Sequence, residues 1–291
     1  MAIDRSYWPG ITASFVSSIG FATMDAISKV LLESVNIVWV LVLRSGIIAI
    51  LVALLLVVMR QAMLFKTAAP RMLLLRSAVF GITSVMVVAA LKHLSLAETI
   101  SLYFLSPIFT VFFSAWLLEE PITIRALAAA VLGFVGVVLI TQPTSTRGFS
   151  IYYLLPLIAG ATGALQDVLV RRMRAQAHPS TIVFYGMWAT IIVSFATLPI
   201  GEWRPLASRE TLLVLAGALA GVIGFFFVAV SFQRAPTRII APLRYLNIVW
   251  AVVLGLVIWG SGPDALALLG TVLIIVAGIT CVWSPARPAE R

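Results

Sequence analysis

Ten stretches of this chain are each long and apolar enough to cross a lipid bilayer as a helix, which leaves little freedom over the fold. They fall at about 9–30, 36–58, 73–91, 97–118, 123–141, 150–170, 180–200, 211–232, 238–259 and 264–283. Roughly 20 residues rising 1.5 Å each cover a hydrocarbon core about 30 Å thick. The chain is 62% hydrophobic and 11% charged, with a mean hydropathy of +1.10, whereas soluble domains are about 45–50% apolar and about 25% charged. No core can hide that excess, so it must face lipid. The linkers LESVN, EEPIT and GSGPD are tight and leave no room for a soluble domain. The expectation is an all-α membrane protein of ten transmembrane helices.

The formal charge of +9 does not indicate a nucleic-acid partner, because the basic residues sit between apolar runs rather than on one polar face. They set orientation instead. With the N-terminus in the cytoplasm, inner segments hold 13 of the 20 basic residues, and outer ones hold Lys29, Lys92, Arg147, Arg204 and Arg209. The positive-inside bias therefore predicts both ends in the cytoplasm of a bacterial inner membrane. The RRMR run at 171–174 reads as a topology anchor. A lone cysteine, Cys281, rules out an intrachain disulfide. The opening MAIDRSYWPG lacks the cleavage pattern of a signal peptide, so residue 1 is expected in the mature chain.

The chain also repeats. FATMDAISK (21–29) and GALQDVLVR (163–171) place Asp25 on Asp167 and Lys29 on Arg171, both at an offset of 142. The same offset aligns Pro121 with Pro263 and Gly136 with Gly278. Five spans is an odd number, so the second copy enters from the opposite side of the membrane. Inverted repeats of this kind build alternating-access carriers with a site near the midplane. The repeats are expected at 1–145 and 146–291.

From end to end the chain resembles the EamA-type carriers of the drug/metabolite transporter superfamily. The resemblance rests on FATMDAISK, VWVLVLRSG, LLLRSAVFG, ALKHLSLAETISLYFLSPIFT, LLEEPIT with AAAVLGFVGVVLI, and SFQRAPTRIIAPLRYLNIVWAVVLG, in that order. It implies a ten-helix inverted five-plus-five fold, a central cavity, no catalytic chemistry and no cofactor. It also implies substrates that vary widely among small metabolites.

Charges inside spans carry the site. Asp25 and Lys29, like Asp167 and Arg171, are one turn apart and can meet on one helix face. Each is either a self-neutralised pair with a snorkelling base or a gating or coupling group exposed to substrate or proton. Arg44 has no acid one turn away and is prohibitive facing lipid, while Arg76 reads equally as a snorkelling or a gating cation. Arg244, with Tyr245, Asn247 and Trp250, gathers a cation, hydrogen-bonding groups and an aromatic in one span. A guanidinium suits carboxylate or phosphate, so Arg44 and Arg244 are expected to bind a substrate's negative part. The competing reading pairs one of them with Asp25 or Glu98. Glu98 opens span 4 as a helix-dipole acid, and Tyr103 and Tyr185 are cavity candidates. Pro107 and Pro242 free the carbonyls of Tyr103 and Arg238. His93 and His178 read as surface histidines, and Gly217-Ala-Leu-Ala-Gly221 with Gly224 offers a small face for helix packing.

The function these residues predict is secondary transport of a small anionic or zwitterionic organic metabolite. Export of amino acids or amphipathic cations is the alternative. An intramembrane aspartyl enzyme is remote, since TMDAI and LQDVL lack a glycine-flanked motif and lie in opposite membrane halves. No HExxH, GxSxG, P-loop or channel filter occurs. The expected partners are lipid, substrate, and protons or a counter-substrate, with the chain a monomer or homodimer.

Overall fold

The computed structural model describes residues 7–58, 67–118, 124–141, 150–173, 177–234, 243–244, 246–260 and 262–282. Its helices are α1 (Trp8–Leu31), α2 (Ile37–Val58), α3 (Pro70–His93), α4 (Leu96–Tyr103), α5 (Ser106–Leu118) and α6 (Ile124–Thr141). After a short 3-10 turn at Ile151–Tyr153 come α7 (Leu154–Arg172), α8 (Pro179–Thr197), α9 (Ser208–Arg234), α10 (Leu246–Trp259) and α11 (Ala265–Val282). Among the described residues, seven segments are long and apolar enough to span a membrane, and three shorter apolar helices bring the total to ten. Large apolar side chains such as Ile50, Val58, Leu74, Trp116, Phe134, Leu212 and Val257 are exposed, as a lipid-facing surface requires.

Local signals place the helix starts. Proline opens α1, α3 and α8, where its missing N–H costs nothing. A reciprocal capping box of Ser95 and Glu98 opens α4, and Asp264 Oδ1 accepts from Ala267 N (2.8 Å) at the start of α11.

The repeat is visible in the coordinates. Displacing α2 by 142 lands on the first residue of α8 (179 − 37 = 142), and α6 lands within one residue of the start of α11. Packing obeys the same rule. The α1–α9 contact is matched by α7–α3, α3–α8 by α9–α2, and α5–α7 by α10–α1, while α2–α8 and α6–α11 map onto themselves. Inversion follows from which ends meet. The C-terminal end of α1 shares a membrane face with the N-terminal end of α7. On that face Trp259 Nε1 donates to Glu33 Oε1 (3.1 Å), Tyr153 Oη to Glu98 Oε1 (3.3 Å) and Ser34 Oγ to Glu210 Oε1 (2.7 Å). This surface is called the Glu33 face below.

Span 4 departs from the single helix expected over 97–118. It breaks between Tyr103 and Ser106, one residue before Pro107, because proline offers no N–H to the Tyr103 carbonyl. Glycines on α7 admit the broken segment. A Cβ at Gly160 would stand 2.8 Å from Tyr103 O, and one at Gly163 2.9 Å from Tyr103 Oη. The small face on α9 packs as expected, with Gly224 against Gly20 of α1.

Candidate functional site

Two layers of charge lie inside the bundle. Near the Glu33 face, Asp25 of α1 and Arg44 of α2 are each 7% exposed and attract one another. Arg44 Nη1 donates to Ser28 Oγ (2.8 Å), and that hydroxyl donates to Met24 O (2.7 Å). Arg44 thus turns away from lipid, as its cost there demands, and ties α2 to α1.

Toward the opposite face, Arg244 Nη1 donates to Asp167 Oδ2 at 2.6 Å. Tyr103 is an electrostatic neighbour of this arginine, and Phe104 presents its ring 6.0 Å away. Arg76 joins from α3, donating to Ile182 O (3.1 Å), with Asp167 its electrostatic partner. The Arg244 and Asp167 side chains keep 20% and 35% of their surface. A charge pair at that depth is tolerated when the accessible side borders a polar space rather than acyl chains. Gln166 Oε1, next to Asp167 in sequence, Asn247 Oδ1, three residues after Arg244, and Arg76 Nε are buried without a hydrogen-bond partner. Buried polar atoms are nearly always satisfied, so such orphans mark where water or ligand sits.

Lys29 behaves differently from the expected one-turn pairing with Asp25. Its Nζ donates to Leu91 O (2.8 Å) and Leu94 O (2.7 Å) and stands 5.7 Å from the Trp259 ring. Lysine is long enough to reach the negative end of α3, where free carbonyls await donors, and this outcompetes a carboxylate deeper in its own helix. Lys29→Met is therefore expected to destabilise by about 1–2 kcal/mol, discounted for partial exposure, with Lys29→Arg near wild type. Thermal unfolding in detergent checks this, and equal melting of Lys29→Met and wild type would refute it.

Glu98 closes the α4 capping box and accepts from Tyr153, so neither arginine takes it as partner. Trp250 meets Phe15 edge-on at 5.9 Å, and Tyr185 packs with Leu73, Met173 and Ile182. His93 stacks on Tyr152 (3.7 Å), and His178 caps α8 through Nδ1. Tyr245, Pro242 and the side chain of Arg171 lie outside what is described. No metal-binding cluster occurs among the described residues. A crevice lined by Asn36, Trp39, Gly201 and Trp203 sits in the loops, away from these charges.

Sequence reasoning missed Gln166. It is a lone amide beside Asp167, and only its unsatisfied burial marks it.

Residues 8–142 and again 150–283 match the EamA-like transporter family. The chain belongs to that family. Among relatives of this EamA-like transporter, the pseudopaline exporter CntI of Pseudomonas aeruginosa is 30% identical over 272 residues, covering 93% of this chain and 94% of the relative. An S-adenosylmethionine uptake transporter of Rickettsia conorii is 27% identical over 294 residues, covering 99% and 97%. A solved crystal structure superposes with a TM-score of 0.65 at 21% identity, covering 92% of this chain and 96% of the other, which supports the fold alone. This EamA-like chain is a membrane transporter and not an enzyme.

Proposed function

We propose that the protein moves a small anionic or zwitterionic organic metabolite by alternating access, with the negative group bound at Arg244. The observation that carries this is the Arg244–Asp167 bond of 2.6 Å. It joins α7 to span 9, lies beside a break in span 4, and keeps accessible surface on both side chains. A ligand carboxylate or phosphate competes with Asp167 for a guanidinium already aimed at an oxygen, and Gln166 and Asn247 offer acceptors to a ligand N–H. Arg44 is committed to Ser28 and Asp25, which leaves Arg244 the better ligand cation.

One relative is named for export of pseudopaline and another for uptake of S-adenosylmethionine, so the shared fold serves both directions. The two repeats meet near 145/146. The positive-inside count puts both termini in the cytoplasm of a bacterial inner membrane and the Glu33 face outside.

The test is a thermal-shift screen of the purified protein against organic anions, zwitterions and cations. Anions or zwitterions are expected to raise the melting temperature by about 2–4 °C, the shift of roughly 1 kcal/mol of binding linkage. Stabilisation by cations alone would overturn the reading.

A further inference from the structure

The repeat offset allows each buried charge to be checked for a counterpart. Asp25 has one in Asp167. Arg44 has none, for its equivalent is Gly186 (44 + 142 = 186). That space is nevertheless filled by a cation. A Cβ built on Gly186 would stand 3.0 Å from Arg76 Nη1 and 3.1 Å from Phe80 Cδ1. The same Nη1 donates to Ile182 O (3.1 Å), one turn earlier on α8, and the guanidinium lies over the Phe80 ring at 4.8 Å.

Depths agree as well. Arg44 lies seven residues inside α2 and Asp25 six from the end of α1; Arg76 lies six inside α3 and Asp167 five from the end of α7. At 1.5 Å per residue both layers sit about 8–10 Å below their faces.

We infer that Arg76 is a positioning residue: the fixed counter-ion of Asp167, delivered from α3 into the space where the second repeat lacks an arginine at Gly186. It is to Asp167 what Arg44 is to Asp25. Arg244 has no such counterpart, since its equivalent is Leu102 (244 − 142 = 102). Two arginines are thus assigned to the two aspartates, and Arg244 is the exchangeable one. When a ligand anion takes Arg244, Asp167 keeps Arg76 and is not stranded as a lone buried charge, the costly outcome in low dielectric. The geometry stands without the transport reading; only the exchange of Arg244 rests on it.

The experiment compares melting temperatures of the ligand-free, full-length protein and four variants: Arg76→Gln, Gly186→Lys, the two combined, and Arg76→Gln with Asp167→Asn. Arg76→Gln is expected to lower the melting temperature by about 3–6 °C, the loss of one of two cations from an acid that keeps its 2.6 Å bond to Arg244. Gly186→Lys is expected to be destabilising in the wild type, where two cations crowd one space. In the Arg76→Gln background the same lysine is expected to recover at least about half of the loss, because it restores the counter-ion from the repeat-equivalent position. The cost of Arg76→Gln should fall by at least about half once Asp167 is Asn. A role in packing alone would reverse neither sign nor size. Gly186→Lys destabilising in both backgrounds, or a cost of Arg76→Gln indifferent to Asp167→Asn, overturns the assignment. If Arg76→Gln alone does not accumulate, the Gly186→Lys double variant is expected to accumulate, and its failure counts against the inference. Since no ligand enters the measurement, failure of the transport reading leaves each outcome intact.

Discussion

Arg244→Ala in proteoliposomes is expected to reduce substrate flux about a hundredfold or more, because truncating one partner of a buried charge contact costs about 2–5 kcal/mol. Two effects combine. The ligand loses its guanidinium, and the carboxylate of Asp167, bonded to Arg244 at 2.6 Å, is left with Arg76 alone. They separate by a second substitution. Arg244→Ala with Asp167→Asn should lose flux as fully as Arg244→Ala, because the ligand's guanidinium is gone whether or not a carboxylate stands at 167. Arg244→Lys keeps the charge without the planar fork and should fall between. Arg44→Ala contrasts with all of these: Arg44 bonds Ser28 and faces Asp25, so its loss should lower the melting temperature more than it alters ligand response. Flux within about threefold of wild type in Arg244→Ala, with the protein folded, corresponds to under 1 kcal/mol and would remove Arg244 from the site.

Much of this was legible because it depends on period and composition. Hydropathy finds helices because backbone groups in lipid must be satisfied within the segment, and a duplicated sequence must repeat its helix bounds; hence one offset, first seen at Asp25 and Asp167, also relates α2 to α8 and α6 to α11. Pro107 marked the Tyr103 carbonyl as free, but the break between Tyr103 and Ser106 goes beyond the single span expected over 97–118. Partners across the bundle were not legible. The one-turn rule offered Asp25 to Lys29, but the carbonyls of Leu91 and Leu94 are 62 and 65 residues away, and no local pattern encodes them. Arg76 read as a snorkelling or gating cation because the glycine that makes room for it lies on another helix. The absent side chain at Gly186 carries that information, and it becomes a signal only once the two repeats are superposed on the contacts.

Gly20→Val is expected to have the largest effect on stability. A Cβ at Gly20 of α1 would lie 2.7 Å from Gly224 N and 2.8 Å from Ala220 O of α9. Both are backbone atoms of a helix and cannot rotate aside, so the added methyls must push the two axes apart. Helices in lipid gain little from burying apolar surface against one another, and close backbone approach through small residues replaces that driving force. Separating α1 from α9 also disturbs Phe21, whose ring lies against Gly224 and meets Phe225 edge-on at 4.8 Å. Overpacking of this kind costs about 1–3 kcal/mol, at the upper end where backbone must move. That corresponds to a fall of roughly 4–10 °C in melting temperature for a chain of this size. Gly46 supplies the control. Nothing lies within 4 Å of a Cβ built there, and α2 is helical throughout, so Gly46→Ala should be neutral or stabilising by up to about 1 kcal/mol. Because α1 carries Asp25 and Lys29, loosening its seat on α9 should also lower flux, whereas Gly46→Ala should leave flux unchanged. A Gly20→Val protein that melts with the wild type would mean that the α1–α9 contact is not the close-packed seam these distances describe.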